Sequence, residues 1–448
     1  MAECRFDIGI VTSDLRLIDR VRAIAGEFGY TLKEFSDLSE FLSAKCDLRL
    51  IIAFVRNEKN PRLAAEMAQT ARMVCADAFV ICCVERGLPK ETASFARKSG
   101  ADLIVLEDEL FETSKLEFML TQVLRASFLP IKSGDIVPDK ALTFDIYHLL
   151  PQRKKFIKFL FQGDIPDEAR IRKVSEVGEV YISRKAADSF NQYVRETQDD
   201  SPEGTVKRLR AQYLALYSGF ASLVFLLTDQ SELASLGDGS NLLARCRGLI
   251  QELLATFGKF GNAWELISLS TIGDAGSVER APAIASYTAL FALSAGIDKI
   301  DDLMLAALLS GLGLVFLPPA ITRKLREDRS HEMNADEFSV YSQYLDQSLA
   351  VLLDRKLSID EKTRHIILSI HERVDGNGFP RRHYGYQVPE ASQLIQFSQE
   401  FDHRTVLRLG KPRPDPLKVL GTIFDEGGIK YGRFSDKLLM KLRQAFAA

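Results

Sequence analysis

The sequence of 448 residues predicts a multidomain protein: a doubly wound α/β domain over residues 1–125, a small α+β domain over 126–198 and an all-α domain over 206–448. Three observations lead to this prediction. Strand-like and helix-like segments alternate in the first region, short strands surround one helical stretch in the second, and the third is helical almost throughout. A chain of this length is also too long for a single hydrophobic core.

Composition and charge are typical of a soluble globular protein. Hydrophobic residues make up 46% of the chain and charged residues 27%. The formal net charge of −3 gives no electrostatic reason to expect nucleic acid or an acidic membrane surface as a partner. The six cysteines show neither metal-type nor secreted-framework spacing. We therefore predict a cytoplasmic protein with no nucleic-acid partner.

Three uncharged stretches raise the question of membrane insertion: residues 211–228, 281–297 and 303–322. Each approaches the roughly 20 apolar residues that are needed to span a bilayer. Hydroxyl, amide, glycine and proline residues interrupt all three stretches, which favours buried core helices. We predict no membrane insertion.

Apolar runs mark the strands of the first domain. They lie at residues 6–11, 48–55, 78–84 and 102–106, with a weaker strand at 31–35, and helical patterns separate them. Parallel strands require such crossover connections, so the pattern predicts a five-stranded parallel sheet. The spacing resembles that of a response-regulator receiver domain.

The receiver resemblance implies acidic residues after the first strand, a phosphorylated aspartate at the end of the third strand and a lysine after the fifth. Here Asp14 is the one acidic residue after the first strand, and Ala53 and Phe54 end the third. Glu107 stands in the lysine position. We therefore expect a pseudo-receiver that is not phosphorylated in the usual way, with Asp14 as a helix N-cap.

The middle of the chain contains two boundaries. The Pro- and Gly-bearing segment 126–140 is predicted to be a linker, and the polar segment 197–205 is predicted to separate the α+β domain from the helical domain. Between them, alternating strands flank the turn at 151–154, and residues 179–183 form a third strand.

The most informative motif is "IHERVDGNGFP" at residues 370–380. It is similar to "HHERxDGxGYP" of HD-GYP domains, the cyclic-di-GMP phosphodiesterase branch of the HD superfamily. The resemblance covers roughly residues 275–405. The positions that match are His371, Glu372, Arg373, Asp375, Gly376, Gly378 and Pro380.

The HD-GYP resemblance implies a site in which histidines and aspartates from several helices hold two or three metal ions. Most of those ligands are replaced in this chain. The degenerate positions are Ser310 and Gly311 for the His-Asp pair, Leu314 for the phosphate-contacting lysine, Tyr344 and Ile370 for two histidines, and Gln399 for the late aspartate. His371 alone clearly remains, so we predict no catalytic residue, no bound metal and no cofactor.

The distribution of histidines supports this prediction. The chain has six, and the two in the helix before the motif, His365 and His371, are six residues apart and point to different faces. A centre built from several histidines cannot be assembled from them. We expect His371 to be partly buried and bonded to a neighbouring polar group.

The loop after His371 is the second feature of the motif. Gly376 and Gly378 allow positive φ, and Asn377 tolerates a left-handed conformation. In the family this loop contacts other signalling proteins, diguanylate cyclases among them. A local pair between Glu372 and Arg373, leaving the other arginines solvated, is the alternative interpretation. The candidate ligand- or partner-binding residues are Arg373, Asp375, Asn377, Phe379 (an exposed aromatic residue), Arg381 and Arg382.

Three functions follow from these observations. The first is a non-catalytic bacterial signalling or scaffold protein that binds other signalling proteins, such as diguanylate cyclases or motility regulators. The second is a sensor that binds cyclic-di-GMP or another nucleotide without hydrolysis. The third is an unorthodox metal-dependent phosphodiesterase with Asp375, Glu372, His371 and Asp402 as ligands. The sequence favours the first and leaves a homodimer open.

Overall fold

The computed structural model describes residues 4–44, 46–55, 62–87, 90–150, 155–176, 179–229, 236–258, 278–406, 414–427 and 432–446. The chain divides into two compact units. The first comprises Met1–Ala126, Leu223–Ser240 and Leu314–Met333, and the second comprises Ser127–Ser222, Asn241–Gly313 and Asn334–Ala448.

A five-stranded parallel sheet forms the centre of the first unit, and its strand order is β2-β1-β3-β4-β5. The strands are β1 (Cys4–Val11), β2 (Leu32–Phe35), β3 (Cys46–Val55), β4 (Phe79–Val84) and β5 (Leu103–Leu106). The helices are α1 (Leu15–Glu27), α2 (Leu38–Ser43), α3 (Leu63–Val74), α4 (Lys90–Lys98), α5 (Glu107–Glu112) and α6 (Lys115–Leu120). The prediction of an α/β region with a parallel sheet is confirmed.

The residues that matter for receiver chemistry have structural roles in this unit. Asp14 caps α1 and accepts a hydrogen bond from the Arg16 N–H at 2.9 Å, as predicted. Ala53 and Phe54 are buried residues near the C-terminal end of β3. Glu107 is the first residue of α5. A strand that is buried on both faces, as β3 is, requires such a continuous apolar run.

The α+β part of the second unit has four antiparallel strands, β6 (Phe128–Ile131), β7 (Ile146–Leu150), β8 (Lys155–Leu160) and β9 (Val180–Ser183), in the order β6-β9-β7-β8. Helices α7 (Glu168–Glu176) and α8 (Ala187–Thr197) accompany them. The prediction of a linker over 126–140 is wrong in its first part, because β6 pairs with β9 there. Pro130 is compatible with this strand because β6 lies at a sheet edge. The predicted turn at 151–154 lies outside the described residues.

From residue 202 onward the described chain is helical, as predicted. The helices are α9 (Pro202–Thr228), α10 (Leu236–Phe257), α11 (Ala281–Ser294), α12 (Ile300–Ser310), α13 (Pro319–Arg326), α14 (Ala335–Ser342), α15 (Tyr344–Asp354), α16 (Glu361–Leu368), α17 (Glu390–Thr405), α18 (Pro416–Gly427) and α19 (Asp436–Phe446). A 3-10 helix, Gly311–Phe316, follows α12 directly. Within the second unit, α11 packs against α12 and α17.

One of the described helices, α9, is long and apolar enough to cross a bilayer. Its most apolar 18-residue window is 83% buried in the protein, which is the behaviour of a core helix. The uncharged stretch 281–297 becomes α11, whose residues are also largely buried. The interpretation of these two stretches as core helices is confirmed.

Candidate functional site

The C-terminal end of α12 and the 3-10 turn after it contain Ser310, Gly311 and Leu314. Ser310 is 2% exposed, and its hydroxyl donates to the carbonyl oxygen of Ala307 at 2.8 Å. Gly311 is buried, and a Cβ added to it would lie 3.2 Å from that of Ala281. Leu314 is half-buried in the 3-10 helix. None of these three residues offers a free ligand atom from its side chain.

A second contact closes this edge against α15. The Ser348 hydroxyl accepts a hydrogen bond from the Gly313 N–H at 2.7 Å and lies 2.9 Å from the Ser310 carbonyl oxygen, to which it can donate. A Cβ on Gly313 would stand 1.9 Å from the carbonyl oxygen of Tyr344. Glycine is therefore required at 313, because the backbones of two elements meet there.

Tyr344 and His371 form the centre of the site. The Tyr344 Oη lies 2.7 Å from the His371 Nε2. Burial, with a further contribution from Arg433, lowers the pKa of His371 to about 3. Burial and the neighbouring Tyr341 raise the pKa of Tyr344 well above its usual value, although a hydrogen bond with Gln399 opposes this. Both groups are neutral at pH 7, so a hydroxyl is bonded to a neutral imidazole.

Aromatic rings enclose this pair. Phe379 stacks on the His371 ring with centroids 4.7 Å apart, and Tyr341 stacks on Tyr344 at 5.4 Å. Phe338, which is 45% exposed, contacts Phe379 edge to face at 5.3 Å. The expectation of an exposed Phe379 is therefore wrong, because the residue is half-buried by stacking on His371.

A metal centre of the kind that the HD-GYP resemblance implies does not fit these residues. The Nε2 of His371 is bonded to Tyr344, and Ile370 is an apolar, fully buried residue. Within the described residues, no three His, Cys, Asp or Glu side chains are grouped so that they could hold a metal ion. Ser310, Gly311, Tyr344 and Ile370 are buried, and Leu314 and Gln399 are half-buried.

The unorthodox ligand set is not assembled either. Asp402 is buried and accepts two hydrogen bonds from the guanidinium of Arg280, one of them at 2.9 Å from Nε. Burial alone would lower the pKa of Arg280, but the Asp402 carboxylate raises it. Arg280 could not be identified from the sequence, because its partner is 122 residues away. This buried pair joins the start of α11 to α17.

Glu372 holds the loop in shape. Its carboxylate is fully buried and accepts the backbone N–H groups of Arg381 at 2.7 Å and of His383 at 2.8 Å. The alternative interpretation, a local pair between Glu372 and Arg373, is wrong. The Arg373 guanidinium instead forms a bidentate pair with Asp375, with contacts of 2.6 and 3.1 Å. A charged acceptor that serves two backbone donors makes a strong internal anchor.

Asp375 and the glycines complete the loop. Burial alone would raise the pKa of Asp375. Hydrogen bonds from Arg373 and Asn377 together outweigh this effect, so the pKa lies below its usual value. Gly376 has φ +80°, as expected. Gly378 is needed for a different reason, because a Cβ there would lie 2.3 Å from the Arg373 nitrogen. Asn377 is not left-handed, and Arg382 takes the positive φ of 56° instead.

The outer face of the loop is polar and aromatic. Asn377, Arg381 and Arg382 are exposed. Two tyrosines that the sequence analysis did not single out extend this face, since Tyr384 is 65% and Tyr386 is 96% exposed. Their position shortly after the motif, on either side of Gly385, was the feature of the sequence that could have indicated them.

Comparisons with known proteins bear on the part of the chain that contains this site. Residues 273–432 match the family model described as HD domain. No curated protein matches the chain. Among solved structures, Bd1817, a HDG"Y"P protein from Bdellovibrio bacteriovorus, aligns with 72% of this chain and 100% of its own at 15% identity and a TM-score of 0.41, a value too low to support an argument. The segment that carries the site, residues 273–432, is thus similar to the HD domain family.

Proposed function

We propose that this chain is a non-catalytic signalling protein that works by binding other proteins, and that its HD-like domain has lost the phosphodiesterase chemistry of HD-GYP domains. One observation carries the proposal: the remaining histidine of the motif, His371, is bonded through Nε2 to Tyr344, a residue that stands in the place of another ligand. Ile370 and Ser310, at two more ligand positions, are buried.

Hydrolysis of a phosphodiester at such a site needs metal ions to activate a water and to offset phosphate charge. Ser310, Gly311 and Ile370 supply no ligand side chain of the required kind. His371 cannot substitute as a general base at neutral pH, because a pKa of about 3 makes it a weak proton acceptor. The chemistry of the interior therefore supports a role other than catalysis.

The loop supports a role in binding. Its shape depends on the buried carboxylate of Glu372 and on the Arg373–Asp375 pair, so the loop needs no metal to keep its form. Tyr384 and Tyr386 present large exposed rings beside Arg381 and Arg382. Tyrosine and arginine are the residues that protein interfaces favour.

The N-terminal α/β region supports the same conclusion. Its strand order, β2-β1-β3-β4-β5, is common to flavodoxin-like folds, the group to which receivers belong. Where a receiver would carry its phosphorylated aspartate, near the end of β3, this chain has the buried residues Ala53 and Phe54. Asp14 is engaged as a helix cap. We infer a pseudo-receiver that communicates by contact, with diguanylate cyclases or motility regulators in a bacterial cytoplasm as the expected partners.

The decisive experiment measures metal content and hydrolysis in the same preparation. Full-length protein, purified without chelator, is analysed for iron and manganese and then incubated with cyclic-di-GMP and either metal. We expect no stoichiometric metal and no cleavage above the buffer control. Cleavage that is lost in His371→Ala but kept in His331→Ala, an exposed histidine, would establish the unorthodox phosphodiesterase instead.

Calorimetric titration of the same protein with cyclic-di-GMP separates the scaffold from the sensor. The scaffold proposal expects no saturable heat at high micromolar ligand. Saturable binding without cleavage, weakened by Arg382→Gln, would replace it with the sensor, because Arg382 is an exposed loop arginine suited to phosphate.

A further inference from the structure

A groove lies between α15 and α16, beside the loop that the proposed function uses. Its volume is about 340 Å³, within the range of small-molecule clefts, which begins at about 300 Å³. Each of the two helices contributes one face of the groove. The exposed side chain of Arg381, from the loop, lines the groove as well. The groove belongs entirely to the second unit.

Three leucines line the groove, and together they are called the leucine floor. Leu349 and Leu353 stand four residues apart on α15, and Leu368 ends α16. Residues at this spacing lie on the same side of a helix, so Leu349 and Leu353 face the groove together. Leu353 is 54% exposed, which is a large fraction for a leucine beside a cleft. Covering it would remove apolar surface from water.

Three ionisable side chains line the groove without a partner. In the described part of the chain, the side chains of Asp346, His365 and Arg381 form no hydrogen bond or ion pair. A fourth, Arg364, is 3.9 Å from Glu361, a weak and exposed contact. Asp346 and Arg381 thus carry opposite charges into one cleft without pairing with each other.

Arg381 is held in place although its side chain is free. Its backbone N–H is bonded to the buried carboxylate of Glu372, which also fixes the N–H of His383. A cation whose backbone is already fixed loses less entropy when it binds a ligand. The mouth of the groove is therefore preorganised on its cationic side.

We propose that this groove binds a small zwitterion with an apolar side chain, namely an apolar α-amino acid or a dipeptide of such residues. Arg381 and Arg364 receive the carboxylate, Asp346 receives the ammonium group, and the leucine floor receives the side chain. A polyanion is disfavoured, because Asp346 and Glu361 line the same groove. This assignment is independent of whether the chain acts through partner proteins.

A series of related ligands tests the proposal without any mutation. L-leucine, L-leucyl-L-leucine, N-acetyl-L-leucine and L-leucinamide are titrated separately into the full chain, with binding followed by calorimetry. The first two should bind saturably, and loss of either charge should weaken binding about 10-fold or more, as for other hydrogen bonds to charged groups. Absence of saturable binding by both zwitterions, or equal binding of L-leucine and L-leucinamide, would overturn the proposal.

Matched variants locate the site. Arg381→Gln and Asp346→Asn should each weaken binding of L-leucyl-L-leucine about 10-fold or more. Lys362→Gln and Asp354→Asn, exposed residues on the same two helices that do not line the groove, should not. Leu353→Ser gives a further variant at an exposed position, and it should also weaken binding. Equal losses in the lining and control variants would contradict the assignment.

Discussion

The buried edge around Ser310 and the loop from His371 to Gln387 are adjacent, but different forces hold them. At the edge, small side chains and a glycine allow close backbone contact, and the Ser348 hydroxyl is hydrogen-bonded inside the protein. The loop is held by charge, through the buried carboxylate of Glu372 and the Arg373–Asp375 pair. Tyr344 and His371 join the two regions.

The difference is what we would expect if, as proposed, the site has lost its chemistry and kept its surface. In a metal centre, the ions would offset the desolvation of the charged ligands around them. Serine, glycine, isoleucine and tyrosine at those positions do not need that compensation. The loop is held by the buried carboxylate of Glu372, which accepts two of its backbone N–H groups. We therefore expect the two regions to respond differently to substitution.

The largest effect should come from Gly313→Ala at the buried edge. The new Cβ would lie 1.9 Å from the Tyr344 carbonyl oxygen, so one of the two elements must move. We expect a loss of about 3 kcal/mol in the free energy of unfolding, measured by urea denaturation. Gly248→Ala is the control, because nothing lies within 4 Å of a Cβ there. If Gly313→Ala left the free energy of unfolding unchanged, the edge would be loosely packed.

Glu372→Ala tests the loop in the same way. It removes the acceptor of two backbone N–H groups from a fully buried position. We expect a loss of about 3 kcal/mol in the free energy of unfolding, because each donor left unsatisfied costs about 1–3 kcal/mol. Hydrogen exchange at Arg381 and His383 should accelerate. Asp425→Ala, at an exposed carboxylate, serves as the control, and slow exchange in Glu372→Ala would contradict the anchoring role.

The junction between the two regions should make stability depend on pH. The folded-state pKa of His371 is about 3, below the value of about 6.5 for an unfolded histidine, so the unfolded chain takes up a proton first. Its contribution to stability is present above pH 6.5 and is lost as the pH falls towards 3. The slope from this one group is at most about 1.4 kcal/mol per pH unit. In His371→Gln, the urea midpoint should vary less with pH between pH 7 and 4 than in the unmodified chain. An unaltered dependence of the midpoint on pH would contradict the assignment.

A smaller effect is expected for Tyr344→Phe, which removes the hydroxyl bonded to His371 and keeps the ring. The free energy of unfolding should fall by about 1 kcal/mol. Tyr384→Phe, an exposed tyrosine of the loop, should change it by less than about 0.5 kcal/mol. Equal effects in urea denaturation would show that the Tyr344–His371 bond contributes no net stability.

The sequence was informative about the fold wherever apolar periodicity was strong. The buried runs of β3 and β4 predict a parallel sheet because strands covered on both faces must be apolar throughout. The first strand of the α+β region was missed because Pro130 and Gly134 indicate a loop locally, whereas pairing with β9 overrides that preference. The strand order of each sheet depends on contacts between distant segments, which periodicity does not contain.

The candidate site shows the same division. The motif predicts the loop and the replaced ligands from local residues. The roles of Glu372 and Gly378 depend on the three-dimensional path of the loop, since one bonds two later N–H groups and the other abuts the Arg373 backbone. The Arg280–Asp402 pair spans 122 residues. Such long-range polar pairs leave no local pattern in a single sequence.

Substitution on the exposed face of the loop should have the smallest effect on stability and a separate effect on partner binding. Tyr386→Ala should change the free energy of unfolding by less than about 0.5 kcal/mol, because the side chain is 96% exposed. A photo-crosslinking phenylalanine derivative at 386, expressed in the cells that encode the chain, should give a discrete protein adduct. The same residue placed at Met440, which is 57% exposed on α19, should not. Identical adduct patterns at both positions would contradict a partner-binding role for the loop, because exposure alone would then account for the crosslinking.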